Sequence, residues 1–372
     1  MVGVVTGLLA FAPEGASGAD PARLLVVTVT TGFRHGSINT AEPVLEDLGR
    51  TSGLYQVDFL RMPPDRPQPP KAPKRADGIS DDDWKKQEEA FKAAQDAHRI
   101  ADATWKKGLD SLFAKAFASE SLAAFDGVIF ANTTGDDLPI PDMDAFLSWI
   151  RDGHAFIGMH AATDTLKRSD AYRDLVGGAF AGHPWGGGGE HGFVVHDTGH
   201  RLSAMFPARF RWKDEIYQYD GRFDPATVRV LVSLDMAAST PKEPWHVPVS
   251  WIRDYGRGRV FYTNLGHNDA TWKDALYQKH LSEGIAWAVG RFDAPTSPNA
   301  DVQAAEYLRS AIAAAANATG RDGDELRARA DKKIVADPSW AVGLRPMLLE
   351  LRSMQPAARA EAYGKLIELI DG

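Results

Sequence analysis

Apolar residues along this chain follow two rhythms, short β-branched runs and longer stretches spaced three and four apart. Leu24–Thr30 is the first run; Thr31–Ser37 closes it, and a helical pattern follows from Ile38 to Leu48. Tyr55–Arg61 reads as a second strand. Pro63-Pro64 and the Pro/Lys-rich stretch to Lys74 then break the α/β alternation. Asp81–Phe117 carries Trp84, Phe91, Ile100, Trp105 and Leu112 among many charges, which predicts one or two amphipathic helices. Residues 64–120 are therefore expected to be a helical insertion outside the sheet.

The sheet resumes at Asp126–Ala131, and Asp142–Gly153 is helical in spacing. Ala155–Met159 is an apolar run that ends in the small, polar turn His160–Asp164, ahead of a further helical pattern over Arg168–Val176. Strand, sharp turn and helix in that order describe an elbow that lifts one side chain above the sheet, here His160. Gly177–Gly192 is too rich in glycine for a regular element and is expected to be a mobile loop over the site. Phe193–His196, Glu215–Tyr219, Val228–Leu234, Val249–Arg253 and Arg259–Thr263 read as further strands, and Leu276–Val289 as a closing amphipathic helix. Residues 299–372 show helical spacing with no further strand. The pattern predicts an α/β doubly wound sheet over residues 23–292, with a helical appendage over 299–372.

Composition narrows the chemistry. The 372 residues carry a formal net charge of −8 and no dense basic cluster, so nucleic acid is not an expected partner. Cysteine is absent, which excludes disulfides, thiolate metal sites and a thiol nucleophile. The apolar stretch Val4–Ala12 followed by Ser17-Gly18-Ala19 resembles a leader with a small-x-small cleavage site, although no Lys or Arg precedes it. Residues 1–22 are expected to be such a segment and the protein to be periplasmic or secreted, with a cytoplasmic protein as the alternative. The stretch is too short to span a bilayer, and no integral membrane segment is expected.

Ligands of open α/β sheets bind at the carboxyl ends of the strands. His35, His160 and His267 are predicted at that edge, and His183 lies in the glycine-rich loop above it. Two readings follow. His160, His183 and His267 with a carboxylate such as Glu215 would suit zinc or another divalent transition ion, with ligands drawn from distant segments. Alternatively, His160 or His267 acts as general base without a metal, and Asp164 or Glu215 serves as acid or orienting group. His35, Tyr217, Trp185 and Asn264 are the expected substrate-binding residues, the aromatic ones by offering flat apolar faces beside polar tips. His196 and His200 flank a turn rather than a helix, so they are not read as a metal pair.

Five segments resemble the ThuA-like (trehalose-utilisation) family in the family's order. They are Thr31–His35, Gly158–Asp164, Phe180–Pro184, Asp214–Tyr217 and Gly256–His267, within a span of about residues 23 to 290. The resemblance implies a flavodoxin-like fold similar to class I glutamine amidotransferases. Amidotransferase chemistry does not follow, because His160 occupies the elbow where those enzymes need cysteine. The resemblance further implies a sugar-processing enzyme acting on trehalose-like disaccharides, glycosides or their keto derivatives. The alternative is a non-catalytic carbohydrate-binding or sensing protein on the same scaffold.

Overall fold

The computed structural model describes residues 20–372, so residues 1–19 of the expected leader lie outside the described residues. Nine strands form one sheet: β1 (Ala22–Val27), β2 (Tyr55–Leu60), β3 (Gly127–Ala131), β4 (Ala155–Met159), β5 (His191–Val195), β6 (Arg209–Trp212), β7 (Arg229–Leu234), β8 (Pro248–Tyr255) and β9 (Gly258–Thr263). Their order is β2-β1-β3-β4-β9-β8-β7-β5-β6. The first five in that order pair in parallel, and the remaining pairs are antiparallel. The parallel half has the 2-1-3-4-5 order of flavodoxin-like sheets, with β9 as its fifth strand.

Among the described residues eleven helices accompany the sheet: α1 (Ile38–Ser52), α2 (Asp81–Ala116), α3 (Ser119–Leu122), α4 (Met143–Arg151), α5 (Asp170–Val176), α6 (Asp269–Lys273), α7 (Ala275–Ala288), α8 (Ala300–Thr319), α9 (Gly323–Ala336), α10 (Ser339–Ser353) and α11 (Arg359–Asp371). Alternation along β1 divides the core, as the two-residue period of a strand requires. Leu24 and Val26 pack in one cluster with α1 and α7, while Leu25 and Val27 pack in another with α4 and α5. Buried on both faces, the central strands are near-continuous apolar runs.

Residues 64–120 contribute helices and no strand to the sheet, and α2 is exposed over most of its length, but Leu109 and Phe113 near its end are buried, with Phe117 just beyond. Phe117 stacks on Phe113 and meets Phe146 of α4 edge-on. Two expectations need correction, that of a strand over 215–219 and that of a mobile glycine-rich loop. Glu215–Tyr219 is not a strand of the sheet. It pairs only through isolated bridges, Phe180 with Tyr219 and Trp185 with Ile216. The glycine-rich loop is the other half of that irregular ribbon, pinned by bonds from Ala181 N–H to Gln218 O, Gln218 N–H to Gly182 O and Ile216 N–H to Trp185 O. It is a fixed wall rather than a loose flap.

The appendage is fused to the sheet. Asn299 accepts from Val230 N–H through Oδ1 and donates to Val230 O through Nδ2, each at 2.9 Å, so one side chain continues the ladder on β7. Helix α8 then buries Leu308, Ala311, Ile312 and Ala315.

Candidate functional site

Four side chains converge above the carboxyl ends of β1, β4 and β9. Ligand-capable atoms of His35, His160, Glu215 and His267 all lie within 4.8 Å of one another. The three imidazoles are mutually edge-on, with ring centroids 4.8, 5.2 and 5.3 Å apart.

His160 is the first residue after β4 and has φ 45°. That left-handed conformation is costly for a residue with a side chain and marks a sharp elbow. Tyr262 of β9 holds the turn by donating to the His160 carbonyl at 2.7 Å. The imidazole is fully buried, and its Nδ1 lies 2.7 Å from the backbone oxygen of Asn264. A carbonyl can only accept, so Nδ1 carries the proton and Nε2 presents a lone pair to the cluster.

His267 sits in the loop after β9. Its predecessor Gly266 has φ 127°, a region closed to ordinary side chains, and this turns the chain back over the sheet. Asp214, fully buried, accepts from Gly266 N–H at 2.7 Å and Asn268 N–H at 2.8 Å, clamping both sides of His267. Asn132 joins this loop to the one after β1 by donating to Gly266 O at 3.0 Å and to Ser37 Oγ at 2.9 Å. Asp214, Asn132 and Tyr262 were not singled out in the sequence. Asp214 and Tyr262 lie in the family-like segments Asp214–Tyr217 and Gly256–His267, and that was the available signal.

Three atoms form the centre. His267 Nδ1 is 3.0 Å from Glu215 Oε2 and 3.3 Å from His160 Nε2, and His160 Nε2 is 3.6 Å from the same oxygen. Ligands bonded at 2.0–2.1 Å around a tetrahedral ion are spaced about 3.3 Å apart, so this triangle has the size of one face of a zinc-type site. A proton on His267 Nδ1 faces two acceptors, Glu215 Oε2 and His160 Nε2. Burial raises the Glu215 pKa, but the neighbouring imidazoles of His160 and His267 outweigh it and hold the carboxyl well below its usual range. The hydrogen bond to Glu215 raises the pKa of His267 against its own burial.

His35 completes the group. It is 3% exposed, and its Nε2 lies 3.2 Å from the Tyr217 hydroxyl. Its Nδ1 is buried with no hydrogen-bond partner among the described residues. Burial, with His160 and His267 nearby, lowers its pKa to about 3, so it is neutral and able to act as a ligand. This orphaned nitrogen and the triangle both fit a divalent ion held by His160, His267 and Glu215, with His35 alongside.

The other expected site residues take different places. His183 is not in the four-residue group. Its half-exposed ring instead contacts the outer oxygen of Glu215, Nδ1 to Oε1 at 3.3 Å. Asp164 pairs with Lys167 rather than with either central histidine. Trp185 is fully buried and donates through Nε1 to Pro241 O at 2.9 Å, so it offers no face to a sugar. Asn264 is also fully buried, and its side chain braces the ribbon by accepting from Tyr217 N–H and donating to Tyr217 O and the Tyr219 hydroxyl. Tyr217 backs the site, its ring 4.4 Å from that of His160. His196 and His200 go to separate partners, Ser233 Oγ and Pro295 O.

A family model described as "ThuA: Trehalose utilisation" matches residues 74–288. The chain belongs to the ThuA family. Among solved structures it is similar to a ThuA-like protein from Bacteroides uniformis, with 19% identity, 74% of this chain and 95% of that one covered, and a TM-score of 0.50. A ThuA-like protein from Parabacteroides merdae gives 17% identity, 76% and 99% coverage, and a TM-score of 0.49. The first likeness bears on the ThuA fold alone. No curated protein matches the chain. The family match takes in the histidines after β4 and β9, and leaves His35 and the appendage outside it.

Proposed function

We propose that this ThuA protein is a metal-dependent sugar-processing enzyme, acting on trehalose-like disaccharides, glycosides or their keto derivatives. The observation that carries the reading is the triangle of His160 Nε2, His267 Nδ1 and Glu215 Oε2, with edges of 3.0 to 3.6 Å. Two histidines and one glutamate are a familiar ligand set for a catalytic ion that keeps a position open. Such an ion would polarise a carbonyl or hydroxyl oxygen of the sugar. His160 is locked in the ligand tautomer by Asn264 O. His183, exposed at the mouth and in contact with the same carboxylate, is placed to pass a proton between the site and solvent. The family's printed description, trehalose utilisation, supplies the substrate class.

Export to the periplasm or medium belongs to the same proposal and rests on the apolar segment Val4–Ala12. Among the described residues, no helix is long and apolar enough to cross a membrane.

Two measurements test the reading. Elemental analysis of purified protein should find close to one divalent transition ion per chain, and incubation with trehalose and 3-keto-glycosides should give new sugars by chromatography. A metal-free, fully active protein would remove the ion from the reaction. Sugar binding without turnover would make the protein a carbohydrate-binding scaffold instead.

A further inference from the structure

A second cleft lies away from the histidine cluster, where the appendage meets the sheet domain. It occupies about 560 Å³ including its mouth, and Tyr219, Phe223, Tyr307, Gln303, Arg345 and Arg352 are among its lining residues. The lining is mixed in an informative way. Tyr219, Phe223 and Tyr307 offer flat apolar surface, while two arginines come from the same helix, α10.

These arginines lack counter-ions. Neither Arg345 nor Arg352 forms a salt bridge among the described residues, although 32 such pairs occur elsewhere, up to Lys365–Glu361. Asp220 is the one carboxylate that acts on Arg352, and it is itself paired with Arg222. Arg352 is half-buried and donates to Tyr219 O, which uses one of its five N–H groups. A partly desolvated guanidinium with free donors and no anion is a costly arrangement for the protein alone.

One further group in the wall has no partner. The buried Tyr307 hydroxyl is not that group, because Arg352 lies beside it and interacts with it. Gln303 is 2% exposed; its Nε2 is fully used, but its Oε1 accepts nothing. Donors without acceptors thus stand beside an acceptor without a donor. Buried polar groups left in this way point to a missing ligand.

We propose that this cleft binds a small carboxylic acid with a flat, apolar body and a hydroxyl group. Arg345 and Arg352 take the carboxylate, a pairing suited to the guanidinium fork. The aromatic walls cover the ring, and the hydroxyl donates to Gln303 Oε1. The inference stands apart from the sugar reaction, because no residue of the histidine cluster lines the cleft.

The test is calorimetric titration of the full chain with 4-hydroxybenzoate and with its neutral amide. Wild type should bind the acid saturably and the amide at least about tenfold more weakly, since only the acid makes charge-assisted bonds. Arg345→Gln should weaken the acid by about tenfold or more. Arg345 has no salt bridge to lose, so this variant decides the question even if Arg352→Gln, which sacrifices the bond to Tyr219 O, fails to fold. Glu215→Gln should bind the acid as wild type does. No saturable binding by wild type, equal binding of acid and amide, or an unchanged Arg345→Gln would each overturn the proposal. Loss of binding in Glu215→Gln would also overturn it, by placing the anion at the histidine cluster.

Discussion

The Nδ1 atom of His160 lies 2.7 Å from the backbone oxygen of Asn264, 104 residues further along the chain. The Asn264 side chain meanwhile holds Tyr217 by two backbone bonds and Tyr219 by its hydroxyl. One buried residue therefore fixes the tautomer of the elbow histidine and the position of the segment that carries Glu215. Asn264→Asp replaces a donor with a charged acceptor facing two oxygens. It should destabilise the protein by about 2–4 kcal/mol, as expected for several broken buried bonds, measured by denaturant unfolding.

His183 touches the outer oxygen of Glu215 and not the triangle itself. His183→Ala should therefore weaken ion binding by about 10–100-fold without abolishing it, the usual effect of losing a group that orients a ligand. His160→Ala should abolish stoichiometric binding. Competition with a chromogenic chelator separates the two outcomes. Equal losses in both variants would return His183 to the ligands.

Helix α2 contrasts two apolar residues of similar size. Phe113 is fully buried, whereas Ile100 is 65% exposed. Phe113→Ala should cost about 3–5 kcal/mol and Ile100→Ala less than about 0.5. Replacing residues 68–103 with a short linker should leave unfolding cooperative. A deletion reaching residue 120 removes Leu109, Phe113 and Phe117 from the core and should not.

Buried neutral histidines away from the site should make the fold sensitive to acid. Burial lowers His196 to about 3 and His280 to about 4. His280 is held by Ser250 Oγ and Leu202 O. Below the ordinary pKa of about 6.5, the unfolded chain takes up a proton that the folded chain refuses. Stability therefore falls as pH drops from there through the folded values, by about 1.4 kcal/mol per pH unit for each group. His280→Gln should flatten the slope of unfolding free energy between about pH 6.5 and 4 by that amount. An unchanged slope would mean that His280 is already charged in the fold.

The parallel half of the sheet was legible because strands buried on both faces leave unbroken apolar runs, as in Leu24–Val27 and Val128–Ala131. The elbow was legible for the same reason, since Ala155–Met159 stops abruptly at His160. The edge strand β6 was not. Arg209, Phe210, Arg211 and Trp212 alternate exposed and partly buried over four residues, too short a pattern to separate from a loop. Glu215–Tyr219 read as a strand because its apolar residues Ile216, Tyr217 and Tyr219 suit one, but its backbone pairs only through isolated bridges with the glycine-rich ribbon and not with a strand of the sheet. His35 could be placed near the edge, yet its position in the cluster depends on a loop running beyond the end of β1. Trp185 and Asn264 show the converse. An aromatic face for Trp185 and motif position for Asn264 suggested contact with substrate, whereas burial gives both a bracing role.

The distances along the chain between the clustered residues also bear on how the protein matures. His35 and His267 meet through a loop closure of more than two hundred residues, and His160 gains its carbonyl partner only once β9 has inserted beside β4. Contacts of such separation form late and slowly. During synthesis, a ribosome must release the chain past His267 before the triangle can exist. An ion bound there would report that the whole parallel half has assembled, and ion uptake during refolding should follow the slowest structural phase.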